Sequence, residues 1–113
     1  MLIEDYAFGQ IKIEGQVYHH DLILLPDKVL PNWWRKSGHL LCREDLAQIL
    51  PQAPFTLIIG SGAYGELQVP AKLKKELEKI KLKIMVFPTQ EAVTQYREIS
   101  LKEKVIGAFH LSC

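Results

Sequence analysis

Apolar and polar residues alternate along the first quarter of the chain, as they do in a β-hairpin. Residues 11–13 alternate, Glu14-Gly15 has the composition of a turn, and residues 17–25 resume the strand until Pro26 ends it. Residues 26–38 are rich in structure-breaking residues and are predicted to be irregular. The beginning of the chain is therefore predicted to be an antiparallel hairpin followed by a loop.

The next segment, residues 43–50, has apolar positions at helical spacing. Glu44 and Asp45 fall in its first turn, where negative charge favours a helix, and Pro51 follows its end. A short helix is predicted here.

The second half of the chain predicts strand, helix, strand, helix and strand in that order. The continuous apolar runs 55–59 and 83–87 are typical of buried strands, and residues 105–111 predict a last one. Pro70 suits the start of the first helix, and Thr89 suits the N-cap of the second. The apolar helix positions are Leu73, Leu77 and Ile80, then Ala92, Val93, Tyr96 and Ile99. Right-handed crossovers make such strands parallel, which predicts a layered α/β domain with about three helices and the hairpin added.

Composition indicates one globular domain spanning residues 1–113. Hydrophobic residues make up 48% of the 113 and charged residues 24%, and the formal net charge is only +1. So small a charge provides no general attraction to nucleic acid or to a membrane surface, and we expect neither as a partner. The two cysteines, Cys42 and Cys113, do not form a disulfide framework, and the chain begins without a secretory or transit pattern. We therefore expect a soluble, cytoplasmic protein with free thiols.

The segment Gly60-Ser61-Gly62-Ala63-Tyr64-Gly65 matches the G-x-G-x-x-G pattern of dinucleotide-binding loops. In a true fingerprint the helix begins within the glycines, whereas here it is predicted to begin at Pro70. The carboxylate that would bind the ribose about 20 residues further on is also missing, since residues 85–89 contain none. The segment is therefore interpreted as a turn leaving a buried strand, and no cofactor is predicted.

This loop nevertheless indicates where a ligand site would lie. Parallel strands end at one edge of the sheet, so residues 60–65 are expected close to Thr89, in the crevice where α/β proteins bind ligands. Gly60, Ser61, Gly62 and Thr89 are candidates for binding an anion or small molecule, with His39 as the titrating group. The simpler interpretation is that Thr89 only caps its own helix.

Two histidine-containing segments suggest chemistry that their spacing does not support. On a strand, His19 and Asp21 share a face while His20 points away, which leaves too few ligands for a structural zinc site. His110 and Cys113 fall on opposite faces of a strand. A catalytic Cys–His pair would require the fold to bring His39 or His110 to Cys42. No metal ligands or catalytic residues are assigned.

The segment Trp33-Trp34-Arg35 lies in the irregular stretch. Two adjacent indoles cannot both be core residues of a regular element, so one is expected to fill the core and the other to lie exposed or at an interface. Tryptophan and arginine are also enriched in interface hot spots. All three residues are therefore candidates for binding a protein partner, and the lysine-rich helix after Pro70 is a second candidate surface.

Several motifs in order resemble one small family of single-domain proteins. These are YAFGQIKIEGQVYHHDLILLPDKV, NWWRKSGHLLCREDL, LIIGSGAYGELQVP, PTQEAVTQYREI and the terminal AFHLSC. The family includes an adipogenesis-associated domain protein and a mitochondrial assembly factor of respiratory complex I. The positions that match its recurrent motifs are Phe8, Gly9, Gly15, Trp33, Gly38, His39, Asp45, Leu46, Gly60, Gly62, Thr89, Ala92, Tyr96, His110 and Cys113.

The resemblance implies a three-layer α/β fold with a central mixed sheet. It implies no catalytic activity, and the better-studied members act through protein partners. Arg97 departs from the family, which often has asparagine after the tyrosine, and the mitochondrial role is not carried over.

Two hypotheses follow. The first is a non-enzymatic protein-binding or assembly module that uses the surface around Trp34. The second is a small-molecule or anion-binding protein, or a cryptic enzyme, that uses the crevice near Gly62 and Thr89.

Overall fold

The computed structural model describes all residues, 1–113, and contains two sheets and two α-helices. The strands are β1 (Ile3–Ala7), β2 (Gln10–Ile13), β3 (Gln16–Tyr18), β4 (Leu22–Leu24), β5 (Val29–Leu30), β6 (Phe55–Ser61), β7 (Leu82–Phe87) and β8 (Val105–His110). The helices are α1 (Ala71–Glu78) and α2 (Thr89–Ile99). Neither helix is long and apolar enough to cross a membrane.

The larger sheet has five strands in the order β5-β4-β8-β6-β7 and is mixed. Strands β8, β6 and β7 are parallel, while β4 pairs antiparallel with β8 and with β5. This arrangement confirms the α/β fold with a mixed sheet. Because β7 and β8 lie on opposite sides of β6, the strand order reverses between β6 and β8, which makes a topological switch point.

Two hydrophobic clusters cover the two faces of this sheet. Leu57 and Ile59 of β6 belong to one cluster together with the apolar face of α1, and Ile58 belongs to the other with α2 and the smaller sheet. All three side chains have no exposed surface. Burial on both faces explains why β6 is continuously apolar rather than alternating.

The N-terminal hairpin is one strand larger than predicted. Strand β1 pairs with β2, and β2 pairs with β3, so a three-stranded antiparallel sheet forms. The predicted single strand 17–25 divides at residues 19–21, because β3 belongs to the smaller sheet and β4 to the larger. Asp21 lies at this division, where its carboxylate is used in the contacts described below.

The prediction of about three helices was wrong, since the structure has two α-helices. The predicted helix at residues 43–50 is instead a 3₁₀ turn, Arg43–Leu46, and a second 3₁₀ turn, Leu50–Gln52, begins where it was expected to end. Their hydrogen bonds join residues three apart, as in the bond from the Ala47 N–H to the Glu44 carbonyl at 3.2 Å. Pro51 lacks the amide hydrogen that a continuing helix would use, so the turns remain short.

Candidate functional site

The predicted position of the ligand crevice is the switch point, where β6 and β8 end side by side. Ser61 of β6 is paired with His110 of β8, and Thr89 begins α2 beside them. The structure therefore brings Ser61, Gly62 and Thr89 together at the edge that the sequence indicated. It also adds His110, which sequence reasoning had considered only as a partner for Cys113 or Cys42 and as a position that matches the resembled family.

Thr89 joins the two strand ends through its hydroxyl group. Its Oγ1 accepts the Gly62 N–H at 2.8 Å and donates to the His110 carbonyl at 2.6 Å. The side chain is fully buried. The prediction that Thr89 caps its own helix was wrong: Pro88 precedes the helix, and no side chain caps that end. The hydroxyl bonds to the loop instead, because the loop supplies a buried donor that needs a partner.

The chain's own C-terminal residues fill the space beside Gly62. This glycine has φ +101°, and a Cβ placed on it would lie 2.8 Å from His110 Cδ2 and 2.8 Å from the Ser112 carbonyl oxygen. The Ala63 N–H donates to that same carbonyl at 2.8 Å, and Ser61 Oγ donates to the Phe87 carbonyl at 3.0 Å. The Gly62 amide and the Ser61 and Thr89 hydroxyls, expected to bind an anion, are thus already used within the protein.

Changing Thr89 to valine is expected to lower the free energy of unfolding by about 2 kcal/mol. Valine has the same shape but lacks the hydroxyl, so the buried Gly62 N–H and the His110 carbonyl lose their partner. Thr89→Ser keeps the hydroxyl and loses one buried methyl, about 0.8 kcal/mol. Urea unfolding of both variants measures the difference; if serine were as harmful as valine, packing rather than hydrogen bonding would explain the role of Thr89.

A charged cluster, formed by Asp21, Arg35 and His110, lies next to the switch point. Asp21 Oδ2 is 3.0 Å from Arg35 Nη2 and 2.7 Å from His110 Nδ1, and Asp21 Oδ1 accepts the Leu111 N–H at 2.8 Å. The side chains of Arg35 and His110 are 6% and 10% exposed. The cluster therefore fastens the loop that contains Arg35 to the end of β8.

The contacts of Asp21 determine which nitrogen of His110 carries a proton. A carboxylate oxygen only accepts, so at 2.7 Å the Nδ1 atom must be the donor. Burial opposes ionisation of Asp21, but the hydrogen bonds from His110 and Leu111 and the charge of Arg35 outweigh it and lower its pKa. His110 Nε2 and the Nε and Nη1 atoms of Arg35 are buried without a hydrogen-bond partner in the protein. The cluster therefore combines a largely buried ion pair with three buried nitrogen atoms that have no hydrogen-bond partner in the protein.

The two tryptophans have opposite environments. Trp33 is buried, and its indole N–H donates to the Asp45 carbonyl at 2.8 Å, whereas Trp34 is 74% exposed. The guanidinium carbon of Arg35 lies 4.6 Å from the centre of the Trp33 ring. Trp33 and Arg35 are thus packed inside the protein, and Trp34 is the one of the three candidate residues whose side chain is exposed.

Two surface hollows adjoin Trp34, with volumes of about 370 and 390 Å³. Both include Asn32, Trp33 and Trp34 in their walls. The first is completed by Leu30, Pro31, Glu44, Asp45 and Gln48, and the second by His19, His20, Asp21 and Ser112. The exposed indole therefore stands between two concave surfaces of mixed polarity.

His39 does not join the switch point. Its ring is exposed, with Nε2 3.5 Å from a Glu66 carboxylate oxygen, and its carbonyl accepts the Gln68 N–H at 2.8 Å. The placement of His39 in the crevice was therefore wrong, and the histidine that lies at the switch point is His110. His110 could have been recognised as a site residue because it lies at the end of a predicted strand. Asp21 could have been recognised because it is a charged residue within the predicted strand 17–25.

Comparison with known proteins identifies the family. A family model described as a protein of unknown function (DUF498/DUF598) matches residues 3–110. The chain belongs to the DUF498/DUF598 family. A conserved hypothetical protein from Pyrococcus horikoshii OT3 is 27% identical over 100% of both chains, with a TM-score of 0.83. A structure named MT938 is also 27% identical, over 99% of this chain and 98% of its own, with a TM-score of 0.79.

A third solved structure has a lower sequence identity and supports only the fold of this chain. It is a Mth938-like domain from Bordetella pertussis, 16% identical, with a TM-score of 0.72 over 96% of this chain and 84% of its own. The comparisons thus support the predicted resemblance as far as an uncharacterised family of small domains.

Proposed function

We propose that this DUF498/DUF598 protein is a non-enzymatic protein-binding module whose contact surface centres on Trp34. One observation carries the proposal: an indole that is 74% exposed lies on backbone that is fixed on both sides. The backbone N–H of Trp33 donates to the Asp21 carbonyl at 2.7 Å, and the backbone N–H of Lys36 donates to Asp45 Oδ1 at 3.1 Å. The ion pair between Arg35 and Asp21 holds the residue that follows Trp34 in place as well.

This arrangement suits a binding hot spot. Tryptophan is enriched among such residues, and a partner that binds a backbone already held in place loses less entropy in ordering it. The hollows on either side offer space for partner side chains that pack on the indole. An assembly role, like that of the complex I assembly factor that the chain resembles, is compatible with such a surface and is part of the proposal.

The first experiment places a photo-cross-linking amino acid at Gln48, an exposed residue in the wall of the first hollow beside Trp34, and separately at Leu101, in cells of the source organism. Leu101 is a suitable control because it is 87% exposed and lines a different hollow from Trp34. We expect a protein enriched at position 48 and not at position 101. If no protein is captured more strongly at position 48 than at position 101, the Trp34 surface is not the binding site.

The second experiment measures the affinity of the purified captured protein for Trp34→Ala and Leu101→Ala. Trp34→Ala is expected to weaken binding about 30-fold, as loss of a hot spot of about 2 kcal/mol requires. Its stability should change by less than about 0.5 kcal/mol, because the indole is at the surface. Equal affinities for the two variants would contradict the proposal.

The ligand-binding alternative has its own measurement on the same purified protein. A thermal-shift panel of phosphate, sulfate, nucleotides and common metabolites tests for it, since a ligand at 100 times its Kd adds about 2.7 kcal/mol. A shift that is retained in Trp34→Ala and lost in His110→Ala would favour a small-molecule function and displace the protein-binding proposal.

A further inference from the structure

Strand β7 forms an open edge of the larger sheet. It pairs with β6 on one side and with no strand on the other. The opposite edge, β5, has only two residues, whereas β7 has six, and each strand is followed directly by a proline. The two edges therefore differ sharply in the length of backbone they leave unpaired.

The β7 edge lacks the features by which monomeric proteins protect such strands. Those features are short length, proline, several charges or a bulge. The pairing of β6 with β7 runs without a register shift from Phe55–Leu82 to Gly60–Phe87, and Lys83 is the single charged residue of β7. Every second residue of β7 directs its N–H and C=O away from β6, toward the open edge.

The side chains of β7 point to the same conclusion. Its last four residues are apolar and remain partly exposed: Ile84, Met85, Val86 and Phe87. Their counterparts on β6, one strand inward, are fully or almost fully buried. An additional strand beside β7 would remove the remaining apolar surface from water and complete the backbone hydrogen bonds.

We infer that the strand that completes this edge is β7 of a second copy of the same chain. A two-fold axis perpendicular to the sheet at Met85 places the two β7 strands antiparallel, with Ile84 opposite Val86 and Lys83 opposite Phe87. No like charges face each other directly in this register, and the apolar residues pair with one another. The net charge of +1 per chain adds little repulsion.

The result is a continuous ten-stranded sheet across the dimer, with five strands from each copy. The tryptophan loop follows β5, at the far edge, so the dimer interface and the Trp34 surface do not compete. The inference does not depend on the proposed function.

Sedimentation equilibrium of the purified full chain, from low micromolar to near-millimolar concentration, tests the inference. The expected species has twice the chain mass of 12.9 kDa. Met85→Lys, which sets like charges opposite each other at the axis, is expected to raise the dimer dissociation constant about a hundredfold. Leu101→Lys makes the same change of charge at a remote, 87% exposed position and should leave the dimer intact.

A mixture of two variants tests the register itself. Met85→Lys and Met85→Glu should each be monomeric and folded by circular dichroism, and should form a heterodimer when mixed. A wild-type chain that remains monomeric at all concentrations overturns the inference and leaves the edge to a different partner. A dimer that survives Met85→Lys, or variants that fail to recombine, shows that the copies do not meet at Met85.

Discussion

Asp21→Ala is expected to lower the free energy of unfolding by about 3–5 kcal/mol, because it leaves Arg35 buried without its counter-charge. The Arg35 side chain is only 6% exposed, so water cannot replace the lost carboxylate fully. His110 Nδ1 and the Leu111 N–H lose the same acceptor. Urea unfolding at neutral pH measures the effect, and a loss below about 1 kcal/mol would contradict the account of the cluster.

Two further variants separate charge from hydrogen bonding. Asp21→Asn keeps the size and one accepting oxygen, so its loss should be smaller than that of alanine. Asp21→Leu combined with Arg35→Met removes both charges and should recover much of the stability, since apolar replacement of an entire buried pair is often close to neutral. If the double variant were as unstable as Asp21→Ala, an unpaired charge would not be the cause.

The pH dependence provides a second measurement on the same variants. The pKa of Asp21 is lowered in the folded state, so its stabilising contribution is present above the unfolded pKa of about 3.9 and is lost as pH falls through the lower folded value. As the pH falls below about 5, the free energy of unfolding of the wild type should therefore decrease more steeply than that of Asp21→Asn. Parallel acid curves for the two proteins would show that Asp21 titrates normally.

The elements of the second half were predictable because each depends on local pattern. Strands buried on both faces give apolar runs such as 55–59, and Pro70 marks where the first helix can begin. The error at residues 43–50 has a local cause as well: apolar spacing at three and four residues fits a helix, but a one-turn 3₁₀ segment satisfies it equally.

The charged cluster was not predictable, because its members are brought together only by the fold. Asp21 and His110 are 89 residues apart in the chain. The pattern likewise cannot tell which of two adjacent indoles turns inward; that depends on the Asp45 carbonyl, which accepts the Trp33 indole N–H. The convergence of Gly62 and Thr89 was predictable because parallel strands end at the same edge of a sheet, but that the C-terminal residues fill the space beside them depends on packing around Gly62.

The two proposed surfaces have a joint consequence. Because β5 and β7 are opposite edges of one sheet, a dimer through β7 would carry its two Trp34 surfaces at its far ends. A partner with two copies of the recognised segment would then bind with an avidity that depends on whether its linker spans the dimer. Met85→Lys would reduce that avidity without affecting the affinity of a single Trp34 surface.

Gly62→Ala is expected to lower the free energy of unfolding by about 2–6 kcal/mol. A side chain at φ +101° costs about 1–3 kcal/mol in backbone strain, and forcing it into a packed site costs about 1–3 more. The added methyl would lie 2.8 Å from His110 Cδ2 and from the Ser112 carbonyl oxygen, so the C-terminal residues would have to move. Urea unfolding gives the loss, and the NMR signals of the His110 ring report the displacement.

Gly65→Ala is the matched control because it shares the positive φ without the crowding. Gly65 has φ +68°, and its nearest heavy atom would be 3.6 Å from the new methyl, an ordinary contact. Its cost should be about 1 kcal/mol, from the backbone alone, and the His110 signals should not shift. If the two alanine variants were equally stable, the residues after β8 would yield freely to a side chain at position 62. The switch point would then be open enough to admit a ligand, which the contacts of Thr89, Ser112 and His110 argue against.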